Sequence, residues 1–133
     1  MKLLERYISA YTGTNLFLGV FTTEKLAKEN KNRYIEEVEN NDSFKHQTYH
    51  SVELEKDFKI VDIKVDANWD GVQKEFYLIC AFSEAFGQIT IDFKIITFSK
   101  ERADELVKMM EEKDEMFVTE YEIEKYILNE LYL

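Results

Sequence analysis

Apolar positions change their period several times along this chain, and each change marks an element. Residues 4–11 are rich in strand formers and lead into Thr12-Gly13-Thr14-Asn15, which has turn chemistry. Residues 16–21 form a second short apolar strand. Thr22 and Thr23 can cap a helix, and Glu24 suits the positive end of its dipole. Ala27, Tyr34, Ile35 and Val38 then recur on one face and predict a helix to about residue 40. A loop at 39–43 and a strand at 47–54 follow. In residues 58–70, Val61, Ile63 and Val65 alternate with Asp62 and Lys64, as in a half-buried strand. The order then recurs: a strand at 76–82, a turn at 84–88, a strand at 89–98, and a helix opened by Ser99. Ala103, Leu106, Val107 and Met110 carry that helix to about residue 113, and a strand at 117–123 closes the series.

The recurrence extends to short strings. Tyr7-Ile8-Ser9-Ala10-Tyr11-Thr12 is echoed by Leu78-Ile79-Cys80-Ala81-Phe82-Ser83, and Phe21-Thr22-Thr23-Glu24-Lys25 by Phe98-Ser99-Lys100-Glu101-Arg102. Val52-Glu53-Leu54-Glu55-Lys56 is echoed by Tyr121-Glu122-Ile123-Glu124-Lys125. Three echoes in one order predict two copies of a unit too small to bury a good core alone. The expected fold is α+β: two tandem ββαβ units forming a mainly antiparallel sheet, with two helices packed on one face, or else two small sheets related by an approximate twofold. Residues 1–56 are the first unit, 57–74 a connecting strand and turn, and 75–133 the second unit with an apolar tail, in one compact domain. Two strands and then a helix opening with Phe-Ser/Thr-x-Glu resemble small uncharacterised strand–strand–helix–strand proteins of low-GC bacteria and their phages. That resemblance brings no catalytic residues with it.

Composition narrows the classes. At 133 residues, with 45% hydrophobic and 14% aromatic side chains, the chain can fold as an ordinary domain. Proline is absent, the N-terminus has no apolar run long enough for a signal peptide, and no stretch approaches a membrane span. Cys80, the single cysteine, makes no internal disulfide and reads as a buried apolar thiol. The cytoplasm is the default location. A net charge of −10 argues against direct binding to nucleic acid or an anionic membrane and points to a basic partner.

Catalytic patterns are sparse. Asp66-Ala67-Asn68-Trp69-Asp70-Gly71 matches the first half of a calcium loop, with Asp66, Asn68 and Asp70 as candidate ligands. The twelfth position is Tyr77 rather than Glu, however, and a connecting turn explains the same residues. His46 and His50 lie four apart in a loop running into a strand, which separates them by about 13 Å and favours two surface histidines. Ser9 and Ser83 have no nucleophile-elbow context, and Gly13, Gly19, Gly71 and Gly87 are scattered singly, so no phosphate-cradling loop is present. No cofactor is implied, and the expectation is a protein that is not an enzyme.

Charge distribution is more suggestive. Residues 99–133 carry eleven acidic against five basic side chains. Glu111, Glu112, Asp114 and Glu115 end the second helix, and Glu120, Glu122 and Glu124 fall on one strand face about 6.8 Å apart. Glu53 and Glu55 repeat the device. Rows of carboxylates at that spacing can imitate a phosphate backbone, although a solvated sheet face has the same pattern. Trp69 and Phe86 are candidate apolar anchors. The tail, residues 126–133, either docks on its own sheet or supports a homodimer. These features predict a non-enzymatic acidic binding protein, and with the resemblance a phage-encoded inhibitor that occupies a basic or nucleic-acid-binding surface of a host defence protein. The alternative is a small-molecule or calcium-binding module that uses the cleft between the copies.

Overall fold

The computed structural model describes residues 1–7, 15–40, 58–66, 69–113 and 118–132. The expected strand at 47–54, His46, His50, Glu53, Glu55, Asn68, Asp114, Glu115, Ser9 and Gly13 lie outside them. Among the described residues the protein is mixed α+β, with two helices and mostly antiparallel sheets. Its elements are β1 (Lys2–Tyr7), β2 (Asn15–Phe21), α1 (Glu24–Asn40), β3 (Phe58–Asp62), β4 (Lys64–Val65), β5 (Glu75–Ala85), β6 (Gln88–Thr97), α2 (Lys100–Lys113) and β7 (Val118–Ile127). The chain divides into two compact units, Met1–Asp62 with Asn129–Leu133, and Ile63–Leu128. The boundaries thus differ from 1–56 and 75–133.

The first unit holds a three-stranded sheet in the order β2-β1-β3, antiparallel throughout. Two strands and a following helix form here because Thr23 stops one period and starts the other. Its Oγ1 accepts the Leu26 N–H at 3.2 Å, and its carbonyl accepts the Ala27 N–H at 3.2 Å. Ala27 is small enough to bring α1 close to the sheet, and Leu4, Leu18, Phe21 and Tyr34 close the core between them. β3 turns Phe58 and Ile60 toward that core and leaves Val61 exposed. The alternation expected through Val61, Ile63 and Val65 therefore does not run unbroken: its phase changes at 62–63, where the chain passes from one unit to the next.

The tail completes the first unit. After β7, Asn129 adopts φ 62° and redirects the chain. Its N–H donates to the Val20 carbonyl at 2.9 Å, and the Tyr132 N–H donates to the Leu18 carbonyl at 2.8 Å. Leu131 packs against the core, and Tyr132 lies 5.9 Å from Phe17, ring to ring. The apolar tail is thus laid along β2.

The second unit holds a four-stranded sheet in the order β4-β6-β5-β7, in which only the short β4 is parallel to its neighbour. The described strands form two sheets, the alternative to the single sheet first expected. The reason lies in the pairing: β3 returns to β1 and β7 to β5, so each hairpin recruits its own third strand. Ser99 caps α2 as Thr23 caps α1, its Oγ accepting the Arg102 N–H at 3.3 Å and its carbonyl the Ala103 N–H at 3.0 Å. Ile79, Ile95 and Ile123 sit in register across three strands and meet Leu106, Val107 and Met110 of α2. Among the described residues, no helix is long and apolar enough to cross a membrane.

Candidate functional site

Register decides which side chains share a face. Ile79, Ile95, Ile123 and Tyr121 lie on the face of the second sheet that α2 covers. Residues paired across strands point to the same side, so the opposite face carries Leu78, Cys80, Phe82 and Glu84 from β5. Beside them stand Phe93, Ile91 and Ile89 of β6 and Glu124, Glu122 and Glu120 of β7. Leu78 and Cys80 are buried. Toward the β5–β6 hairpin the same face opens: Phe82 and Ile91 are half-buried, while Ile89, Glu84, Glu120 and Glu122 are exposed. No cation among the described residues pairs with Glu120 or Glu122. Glu124 is half-buried and accepts the Tyr126 hydroxyl, so the row expected along β7 offers two free carboxylates rather than three.

The hairpin ends in a two-residue turn, Phe86-Gly87, with φ values of 54° and 78°. Positive φ at both positions makes this a type I′ turn, which fits strand twist and favours Asn-Gly or Asp-Gly. A phenylalanine in that place costs about 1 kcal/mol of backbone strain. Its ring gains nothing from folding, because Phe86 is 101% exposed. Topology brings further carboxylates to this end. α2 starts where β6 ends and runs back, and β7 begins beside Ser83. The exposed Glu111 and Glu112 therefore lie at the same end of the unit as the hairpin tip.

Trp69 belongs elsewhere. The β5 strand has eleven residues, so its two ends are separated by about 33 Å. Trp69 lies beyond the end away from Phe86. It stacks on Phe98 at 5.8 Å, and its Nε1 donates to the Gln73 carbonyl at 2.9 Å, leaving 38% of the residue exposed. Trp69 therefore closes a turn, and it cannot share a pocket with Phe86. Asp70 serves the same turn, its Oδ1 accepting the Val72 and Gln73 N–H groups at 2.8 Å each. These two bonds, that of Gln73 first, hold its carboxyl below the usual carboxylate range.

Asp66 is engaged inside the unit. Arg102 Nε donates to one oxygen at 2.9 Å and Nη2 to the other at 3.3 Å, and Thr97 Oγ1 donates at 3.2 Å. The bidentate pair raises the Arg102 pKa, and Asp66 joins the chain after β4 to the start of α2. The calcium-loop reading of Asp66 and Asp70 fails on this geometry, because one carboxylate is clamped by a guanidinium and the other caps backbone N–H groups. No cluster of three metal-binding side chains occurs among the described residues. Cys80 is buried, and burial first, then Glu124, Glu122 and Asp92, pushes its thiol up to about 12.

Sequence reasoning missed one unusual group. Arg6 is buried to 4% in the first unit, where Nη1 donates to the Tyr34 hydroxyl at 3.1 Å. The guanidinium lies 5.7 Å from the Tyr34 ring centre and 5.8 Å from that of Phe58, and its Nε has no partner. An arginine inside a strand-forming run was the available signal.

No protein-family model, characterised protein or solved structure matches this chain.

Proposed function

We propose that the chain is two copies of one ββαβ module, and that the second has become an acidic binding end which occupies a basic surface of a protein partner in the cytoplasm. Matching geometry supports the duplication. Each hairpin pairs its first strand with a further strand, β1 with β3 and β5 with β7, and each has a register shift at the same step, between Leu4 and Glu5 and between Ile79 and Cys80. Each helix is capped by a hydroxyl four residues before a buried alanine, Thr23 before Ala27 and Ser99 before Ala103. On that register Leu4 corresponds to Ile79, Phe58 to Tyr121 and Ile60 to Ile123. The echoing strings fall four residues away from this correspondence in the first strand and six in the last. Hydrogen bonding, rather than string similarity, sets it.

The same correspondence carries the functional reading. Leu4 and Ile60 have apolar counterparts in Ile79 and Ile123, yet Glu122 stands where the first module has Lys59, and Glu124 where it has Val61. The fold therefore does not require acid there. The second unit carries fifteen acidic against eight basic side chains, which is −7 of the total −10. Carboxylates on its open face, at its hairpin and at the end of α2 would meet Lys and Arg of a nucleic-acid-binding groove and exclude its natural ligand. A phage-encoded inhibitor of a host defence protein fits this mechanism. Long-range attraction would speed association at low salt. The test is affinity capture from host lysate with the wild type and a Glu120→Lys/Glu122→Lys variant, washed at low and high salt. A basic partner shed by salt and missed by the variant is expected. A partner held equally by both proteins at both salt levels would overturn the reading.

A further inference from the structure

We infer that Phe86 is an apolar plug, presented by the hairpin to a pocket whose rim carries Lys or Arg on the protein partner. This inference rests on the acidic-occupancy reading and adds the contact that gives it specificity. A ring held in the left-handed region, wholly outside the fold, contributes nothing to stability, whereas Asn or Gly would relax the turn. Exposed Ile89 extends the apolar surface along β6, with half-buried Phe82 behind it, and Glu84 lies directly opposite Ile89. Glu120, paired with Phe82, stands on the same face. The tip is thus apolar at its centre and acidic at its border, the arrangement of an interface hot spot with a polar rim.

That border selects the occupant. A second copy would set Glu84 and Glu120 against the same carboxylates, and an anionic bilayer would be repelled in the same way. A basic-rimmed pocket meets both parts at once. Trp69 stands about 33 Å away along β5 and takes no part.

The full-length chain is tested with benzoyl-phenylalanine in place of Phe86 and, as a control, in place of the exposed Glu29 on α1. Both are irradiated in host lysate, and adducts are identified by mass spectrometry. The expected result is one protein adduct at position 86, absent at 29. Binding of that purified protein should weaken at least tenfold in Phe86→Asn. The same variant should melt about 3 °C higher than the wild type, because relief of the turn strain stabilises it. A stable variant that binds poorly separates recognition from folding. An adduct only with lipid or with a second copy, no adduct above the control, or unweakened binding of Phe86→Asn would each overturn the plug. If binding is still lost in Glu120→Lys/Glu122→Lys, acidic occupancy stands without the plug; if it survives charge reversal as well, both fall.

Discussion

Replacing Gly19 with alanine should detach the tail from the first unit. Gly19 lies in β2 opposite Leu4, between the two residues whose carbonyls hold the tail. A Cβ at this position would stand 2.6 Å from the Glu130 carbonyl oxygen and 2.9 Å from two atoms of the Phe21 ring. The ring can shift slightly. The carbonyl cannot, because the Asn129 and Tyr132 N–H groups fix the backbone on either side of it. Either the strand absorbs the overlap, at about 1–3 kcal/mol for overpacking, or the tail leaves. Leaving gives up two backbone hydrogen bonds, about 1 kcal/mol each, together with the packing of Leu131 and Tyr132. Both routes converge on a loss of about 2–3 kcal/mol, read by urea denaturation followed by circular dichroism. Gly87→Ala, where nothing lies within 4 Å, should cost only the left-handed strain of about 1 kcal/mol. The decisive comparison is Gly19→Ala in a chain ending at Leu128. With Glu130 gone, the share of the cost due to its carbonyl should vanish, leaving the strain of an alanine at φ 157° and the overlap with Phe21, a non-additivity expected of touching groups. An equal cost in both backgrounds would refute the placement of the tail over Gly19.

Further outcomes follow from single groups. The Cys80 thiol, pushed up to about 12, should resist a disulfide reagent at pH 8 until the protein is denatured; rapid native labelling would show that its strand opens. The Asp70 carboxyl is depressed in the folded state, so its stabilisation is present above the unfolded pKa and lost as pH falls through the lower, folded one. The Tm gap between wild type and Asp70→Ala should narrow on acidification through that window, and a gap constant with pH would contradict the assignment. Millimolar calcium should leave the Tm unchanged, since Arg102 takes both Asp66 oxygens; a calcium-dependent rise would reinstate the metal reading. Arg6→Met should keep stability within about 1 kcal/mol, because a buried cation without a carboxylate is easily replaced by an apolar stem of similar size. Arg6→Ala, which empties the space beside Tyr34 and Phe58, should lose about 2–3 kcal/mol in the same urea assay.

Local chemistry made the helices legible. A hydroxyl at Thr23 and at Ser99, followed by apolar residues at helical spacing, placed both starts, and Ala27, Tyr34, Ala103 and Leu106 are buried as that spacing implied. The hairpin 75–97 was nearly as clear, although its turn is narrower than the five residues 84–88 suggested, because Glu84 and Ala85 still pair with Ile89 and Gln88. Non-local pairing was not legible. Nothing in Tyr126-Ile127-Leu128 distinguishes one turn of helix from a strand end, and the choice was made by β5, which carries β7 as far as Ile127. Phe58–Asp62 looked like a linker strand for a similar reason: its partner, β1, lies more than fifty residues earlier.

The candidate site shows why acidic composition alone underdetermines a surface. Asp66 and Asp70 formed the sharpest motif in the sequence, yet both are consumed by the fold, one by a guanidinium and the other by backbone N–H groups. Glu120 and Glu122 had no motif beyond alternation, yet they remain uncommitted. What separates the two pairs is the supply of donors nearby. Short Asp side chains beside a turn reach their own backbone, whereas longer Glu side chains on a strand face find a partner only if the neighbouring strand provides one. Here the neighbour provides Phe82 and Cys80. A carboxylate set beside apolar residues, rather than beside lysines, stays available to a cation from outside the chain. The register of β5 and β7 therefore decides which carboxylates of this face stay uncommitted.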